Sequence, residues 1–231
     1  MAYLMGIDLG TSSVKVLIAD EKGKIKGIGQ ASYEVKTPCP GYAQQDPGIW
    51  WERTKTAIRE CLRKSGILPE QIKGVGLSGQ MHGLVALDRE GRVIGSSLIH
   101  LDQRSVREKE EILEAAGALI TEELMNCPGT GMLICSLLWL KRNCPSEYER
   151  IHTVFSPKDY IRYQLIGEKA TDYCDASATL AFDIKHKKWC KTLIRRLDLK
   201  EDVWSSVMYS HEIAGEISGT ASKETGLCKG T

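Results

Sequence analysis

Two short apolar runs open the chain, YLMGID (3–8) and VKVLIAD (14–20), divided by a small polar stretch. A polar turn, DEKGK (20–24), leads into IKGIGQASYEV (25–35), whose apolar residues recur at the two-residue period of a strand. This pattern predicts three strands in antiparallel succession. After TPCPGYAQQ, the segment DPGIWWERTKTAIRECLRKSG (46–66) has helical spacing, with Asp46 as N-cap, Pro47 in the first turn and Gly66 just past the end. IKGVGLSG (72–79) reads as a buried strand feeding a loop at GQMHG (79–83). LVALD, the turn REGR and VIGSSLIHLD (84–102) read as a second hairpin. The turns Asp20–Lys24 and Asp88–Arg92 share an Asp-x-x-Gly-basic pattern, a recurrent turn chemistry.

From SVREKEEILEAAGALI (105–120) to about Arg150 the spacing becomes helical, and SPKDYIRYQLIG (156–167) is a helix with a glycine stop. DYCDASATLAFDI (172–184) returns to β-like composition, KWCKTLIRRLDL (188–199) is helical again, and GEISGTASKETGLCKGT (215–231) is a polar tail. Strands first, then alternation with helices, predict the α/β class: a sheet covered by helices. No linker-like stretch divides the chain before the tail.

Composition narrows the function. With 231 residues, 42% hydrophobic and 26% charged, the chain suits one large domain or two small ones. Its 31 basic and 30 acidic residues are scattered, so no basic stripe argues for nucleic acid and no polybasic terminus for a membrane. No apolar run has the length of a membrane span, and MAYLMGIDLG lacks a signal-peptide pattern. Of the eight cysteines the closest pair, Cys127 and Cys135, are eight apart and no C-x-x-C occurs, which favours reduced, mostly buried thiols over disulfides or zinc. These features together predict a soluble, cytoplasmic protein.

The candidate chemistry begins at GIDLGTS (6–12). It is not a Walker A motif, but Gly6, Gly10, Thr11 and Ser12 can offer backbone N–H groups and hydroxyls to phosphate. Asp8 would repel a triphosphate unless a divalent cation lay between them, and magnesium is often held by one or two carboxylates plus substrate phosphates. Lys15 can then neutralise a phosphoryl oxygen. A plain hairpin turn remains the alternative. In the loop after residue 79, Gln80, Met81 and His82 supply an amide, a thioether and an imidazole, a set that suits a neutral polyol. A packed methionine beside a satisfied core-edge histidine fits the same residues. Asp102, in HLDQR (100–104), is able to accept from sugar hydroxyls, and with Arg104 it fits a structural ion pair equally well.

GIDLGTSSVKVLIAD (6–20) resembles the first phosphate loop of the actin, hexokinase and heat-shock-protein-70 superfamily. QQDPGIWWE (44–52), GLSGQMHGLVALD (76–88) and PKDYIRYQLIGEKATDYCDASATLAFD (157–183) resemble the N-terminal domain of the FGGY carbohydrate kinases, with Gln-Met-His-Gly the most discriminating part. The resemblance implies an α/β, ribonuclease H-like domain with a central mixed five-stranded sheet flanked by helices. It implies that residues 1–231 form the sugar-binding N-terminal domain, without the C-terminal nucleotide-binding domain. The implied reaction is transfer of the ATP γ-phosphoryl group to a ketopentose, D-xylulose in the most similar branch. Asp8 would be the catalytic carboxylate and the ligand of Mg2+, with Gly10, Thr11, Ser12 and Lys15 on ATP, and Gln80, Met81, His82 and Asp102 on the sugar.

In this family the base is an aspartate in a Gly-Gly-Asp stretch opening the second domain, and no Gly-Gly or Gly-Asp occurs from residue 206 onward. The chain alone is therefore expected to be inactive. Expected partners are a small sugar and the missing C-terminal domain, with a homodimer left open and neither nucleic acid nor membrane involved. A non-catalytic sugar-sensing or scaffold module, or a kinase for another pentulose or polyol, are the alternatives. Three departures stand out: His100 replaces a tryptophan, Cys174 and Ala178 replace Ser and Gly, and CSLLWL (135–140) lacks a Pro-Lys before its leucines. DYCDASAT (172–179) reads as a structural wall behind the sugar, with Asp172 and Asp175 as solvated turn residues.

Overall fold

The computed structural model describes residues 2–231. Strands β1 (Tyr3–Leu9), β2 (Ser13–Asp20) and β3 (Ile25–Ser32) form consecutive antiparallel pairs, as their alternation predicts. After β4 (Gln44–Gln45), helix α1 (Pro47–Ser65) carries the chain back to β5 (Ile72–Gly79), which runs parallel to β1. There follow β6 (Val85–Leu87), β7 (Ser97–Leu98), α2 (Val106–Ala116), α3 (Leu133–Asn143), α4 (Pro145–Arg150) and β8 (Thr153–Phe155). The chain ends with α5 (Pro157–Ile166), β9 (Ala170–Asp172), α6 (Tyr173–Ala178), β10 (Phe182–Asp183), β11 (Lys188–Trp189), α7 (Lys191–Arg196), β12 (Ser206–Met208) and α8 (Gly219–Thr225).

The central mixed sheet has four strands among the described residues, in the order β3-β2-β1-β5, where five were expected. The three-residue strand β9 pairs with β12 in a separate sheet, not with the outer edge of β5. Strand alternation decides which face is covered. Met5, Ile7, Leu9, Val14, Val16 and Ile18 are buried beneath α1, α5 and α8, whereas Leu4, Asp8, Lys15, Leu17 and Ile28 are exposed on the other face. Most of β5 is half-buried or exposed because it is an edge strand, so its expected burial is not met.

Helix α1 starts and stops as its sequence dictates: the Asp46 side chain accepts from Gly48 N at 2.8 Å, and Gly66 takes the left-handed φ of 65°. Gly29 lets it lie against β3, since a Cβ there would sit 2.0 Å from Ala57 O. The two similar turns share their chemistry too. Asp20 Oδ1 accepts from Lys22 N and Lys24 N, and Asp88 Oδ1 accepts from Glu90 N and Arg92 N. The hairpin expected over 84–102 is reduced to two antiparallel bridges, Leu84–Leu98 and Leu87–Val93, while β6 pairs with β8 and β7 with β4.

The helical stretch expected from 105 to 150 is interrupted after Ala116 and again before Leu133. Together with α7 it builds a second core, around Ile112, Leu124, Leu137 and Leu193. The β-like 172–184 instead begins as helix α6, because the Asp172 carboxylate captures the N–H groups of Cys174 and Asp175. The polar tail is fastened: Ile217, Ala221 and Leu227 join the first core, and Trp51 Nε1 donates to Glu224 Oε2 at 2.7 Å. No helix among the described residues is long and apolar enough to cross a membrane.

Candidate functional site

Because β1 and β5 are parallel, their C-terminal ends release two loops side by side, the position where ligands collect in such sheets. Gln80 N–H donates to Leu9 O at 2.7 Å, joining the loops where they leave the sheet. Asp8 lies on the uncovered face and Ser78 is its register partner on β5. Ser78 Oγ donates to Asp8 Oδ1 at 2.7 Å. Lys15 is the register partner on β2, and among the described residues neither Asp8 nor Lys15 is in an ion pair. A cavity of about 500 Å³ lies over this face, lined by Asp8, Lys15, Leu17, Ile28, Gly76 and Ser78.

In the loop after β1, the Gly10 N–H closes the turn onto Ser13 O at 3.0 Å. Tyr33 donates its hydroxyl to Gly10 O, and burial, with the charge of Asp8 adding to it, pushes that phenol up. Gly10 is therefore a packing residue, and the amide expected to meet phosphate is used within the hairpin. The backbone N–H groups of Thr11 and Ser12 have no partner among the described residues and remain available.

The loop after β5 divides its three expected sugar contacts. Gln80 is buried and donates through Nε2 to Gln45 Oε1 at 3.1 Å. Gln45 also accepts from Trp50 Nε1 and donates to Thr11 O, so these two glutamines tie the second loop to the first from behind. Met81 is 60% exposed. His82 takes a left-handed φ of 56°, followed by Gly83 at 76°, which curls the loop outward. Its Nδ1 is 2.9 Å from Ala178 O. A carbonyl only accepts, so in the neutral ring Nδ1 carries the proton and Nε2 is left with its lone pair.

Asp102 is the expectation that the geometry does not favour. It is 1% exposed; Oδ2 accepts from Ala43 N at 2.7 Å and Oδ1 from Arg104 N at 3.0 Å. Both oxygens also accept from the Arg104 guanidinium, so no lone pair is left for a sugar hydroxyl. Arg104 in turn lies 3.9 Å from the Tyr42 ring centroid and donates to Gln44 Oε1. Of the two readings of this pair, the structural one fits.

Asp172 and Asp175, expected in solvent, belong to a buried charge cluster. Lys158 Nζ lies 2.6 Å from Asp172, 3.0 Å from Asp159 and 3.2 Å from Asp175, while Arg162 holds Asp159 at 2.8 Å. Burial pushes the Asp175 carboxyl up to about 6, against the pull of Lys158. Burial acts on Asp172 in the same direction, but its hydrogen bond and ion pair with Lys158 prevail and lower it. Asp172, Cys174 and Asp175 bring their polar atoms within 4.8 Å of one another, yet the Lys158 ammonium already serves as the cation there. Gly79 lets Lys158 approach the end of β5, since a Cβ at Gly79 would lie 3.2 Å from Lys158 Cβ.

Sequence reasoning missed Ser78, Gln45 and Lys158. Strand alternation carried a signal only for Ser78, and using it required the β1–β5 register.

The glycine- and hydroxyl-bearing loop after β1 and the Gln-Met-His-Gly loop after β5 thus leave adjacent parallel strands side by side. The chain belongs to the FGGY family of carbohydrate kinases, whose N-terminal domain matches residues 3–231. It is 33% identical to a xylulose kinase of Staphylococcus xylosus over 228 residues, covering 98% of this chain and 47% of that protein. It is 32% identical to a xylulose kinase of Escherichia coli (strain K12), covering 96% of this chain and 46% of the relative. A solved xyloylose kinase from Brucella ovis superposes with a TM-score of 0.90 at 35% identity, over 98% of this chain and 46% of that one. The chain thus spans about half the length of the relatives it matches.

Proposed function

We propose that this chain is the sugar-binding half of an ATP-dependent kinase that phosphorylates D-xylulose. The observation carrying this reading is the junction of the two loops: Asp8 with its Ser78 hydrogen bond lies at one strand end, and the His82 loop leaves the neighbouring one. The names of the most similar relatives support the choice of sugar.

Asp8 suits a hydrated Mg2+. One carboxylate oxygen is oriented by Ser78, the group is exposed, and among the described residues it makes no salt bridge. When bound, the ion supplies charge neutralisation of the transferring phosphoryl group. The Thr11 and Ser12 amides and hydroxyls orient phosphate oxygens, and Lys15 presents a positive charge beside Asp8. His82 Nε2 accepts from a sugar hydroxyl, and Met81 meets the C–H face. Gln80, Gln45 and the Asp102–Arg104 pair position these loops from behind. The base and the adenosine pocket are assigned to the part of the relatives' length that this chain does not span.

Titration calorimetry of the chain with D-xylulose tests the sugar side. His82→Ala should weaken binding by about 1–3 kcal/mol, the cost of leaving a hydroxyl unpaired. Unchanged affinity in a folded variant refutes the assignment of His82.

A further inference from the structure

One polar group beside the sugar loop has no place in the scheme above. His100 lies half-buried in the turn after β7. Its backbone packs on Gly131, where a Cβ would come within 2.6 Å of His100 O. The carbonyl of the same Gly131 accepts from Gly83 N at 3.1 Å. The loop of His82 and the turn of His100 therefore flank one glycine. Burial first, then the charge of His82, lowers the His100 pKa, so this ring is neutral near pH 7.

The two rings are complementary in hydrogen bonding. His100 Nδ1 is buried without a partner. Orphaned N–H groups are rarer in protein interiors than under-used acceptors, which assigns the proton to Nε2. Among the described residues that nitrogen too has no protein partner. His82 has the opposite tautomer, with Nδ1–H held by Ala178 O and Nε2 free to accept. One ring offers a donor and its neighbour an acceptor, with neither group satisfied inside the protein.

We propose that His100 is a specificity-determining residue of the sugar site, its Nε2–H donating to one hydroxyl of a polyol while His82 Nε2 accepts from the adjacent hydroxyl. The pair would then read a vicinal diol. This rests on the sugar-binding reading above. A site that meets the two hydroxyls with one donor and one acceptor discriminates against ligands lacking either of them.

The chain has five histidines, so each ring can be assigned by single His→Gln substitution and followed by imidazole nitrogen NMR. The free chain should show His100 protonated on Nε2 and His82 on Nδ1. D-xylulose should move the Nε2 signals of both and leave His152, His186 and His211 unmoved. His100→Phe should weaken D-xylulose binding about tenfold, the loss of one hydrogen bond, and His100→Gln, whose amide restores an N–H near the Nε2 position, should recover most of it. A His100 proton on Nδ1, or equal affinities for the Phe and Gln variants, overturns the proposal. A response of His82 alone sinks the role of His100 but leaves the sugar site standing, and a response of neither ring sinks both.

Discussion

Asp175→Asn offers a direct measure of how the buried charge cluster is balanced. Lys158 lies 3.2 Å from the Asp175 carboxylate and favours its charge, while burial and the nearby Asp159 oppose it. Burial prevails, and the carboxyl rises from 3.8 to about 6. A shift of that size corresponds to about 3 kcal/mol at about 1.4 kcal/mol per unit. Between those values the folded state holds a proton that the unfolded state has released. The contribution of Asp175 to stability is therefore fully present below about pH 4 and lost as pH rises through about 6. Asparagine has no charge to bury and should be insensitive to this change. Melting curves followed by circular dichroism at pH 4 to 8 should show the wild type losing ground to Asp175→Asn by about 3 kcal/mol, or roughly 6–12 °C for a chain of this size. A difference that stays flat refutes the assigned burial. A wild type that gains on the variant with rising pH means that Lys158 outweighs desolvation.

Three further outcomes follow from separate parts of the molecule. Asp8→Ala, assayed with a complementary second half, should lower kcat by on the order of 10²–10³ with little change in the sugar KM; near-normal turnover in steady-state kinetics removes Asp8 from the chemistry. Gly29→Ala puts a methyl 2.0 Å from Ala57 O, so urea denaturation should show a loss of about 1–3 kcal/mol or more as α1 is pushed off β3, and an unchanged midpoint contradicts that contact. Gln45→Ala leaves Trp50 Nε1 and Gln80 Nε2 without their shared acceptor and should cost about 1–3 kcal/mol in the same experiment; a neutral result means that the two loops are not coupled through this amide.

What was legible in the sequence is what is local in the fold. The first three strands, the caps of α1 and the paired Asp-Gly turns each depend on residues within a few positions of one another. Features that the sequence did not show depend on distant partners. Asp102 is committed by Ala43 and by Arg104 packed on Tyr42, and Asp175 is buried by Lys158 and Asp159 from another helix. Gln80 lies in the expected loop but faces Gln45, a direction that no spacing encodes. The exposure of β5 reflects its position at the sheet edge, a matter of topology rather than composition. Asp8 and His82 were singled out through motif resemblance, and the structure places them at the ends of the adjacent strands β1 and β5. Ser78 became visible only when the parallel register placed it opposite Asp8.

The central claim, that this chain supplies the sugar side of a two-part kinase, is tested most directly by ADP release in the presence of ATP, Mg2+ and D-xylulose. The chain is assayed alone and again with the C-terminal half of the Staphylococcus xylosus xylulose kinase it resembles. On the proposed assignment of the base and adenosine pocket to the second half, a missing base lowers the rate by about 10²–10⁴ and loss of nucleotide positioning lowers it further. The account predicts no D-xylulose-dependent ADP release from the chain by itself and its appearance when the second half is added. Turnover by the 231-residue chain alone, at a rate typical of a complete kinase, would contradict it.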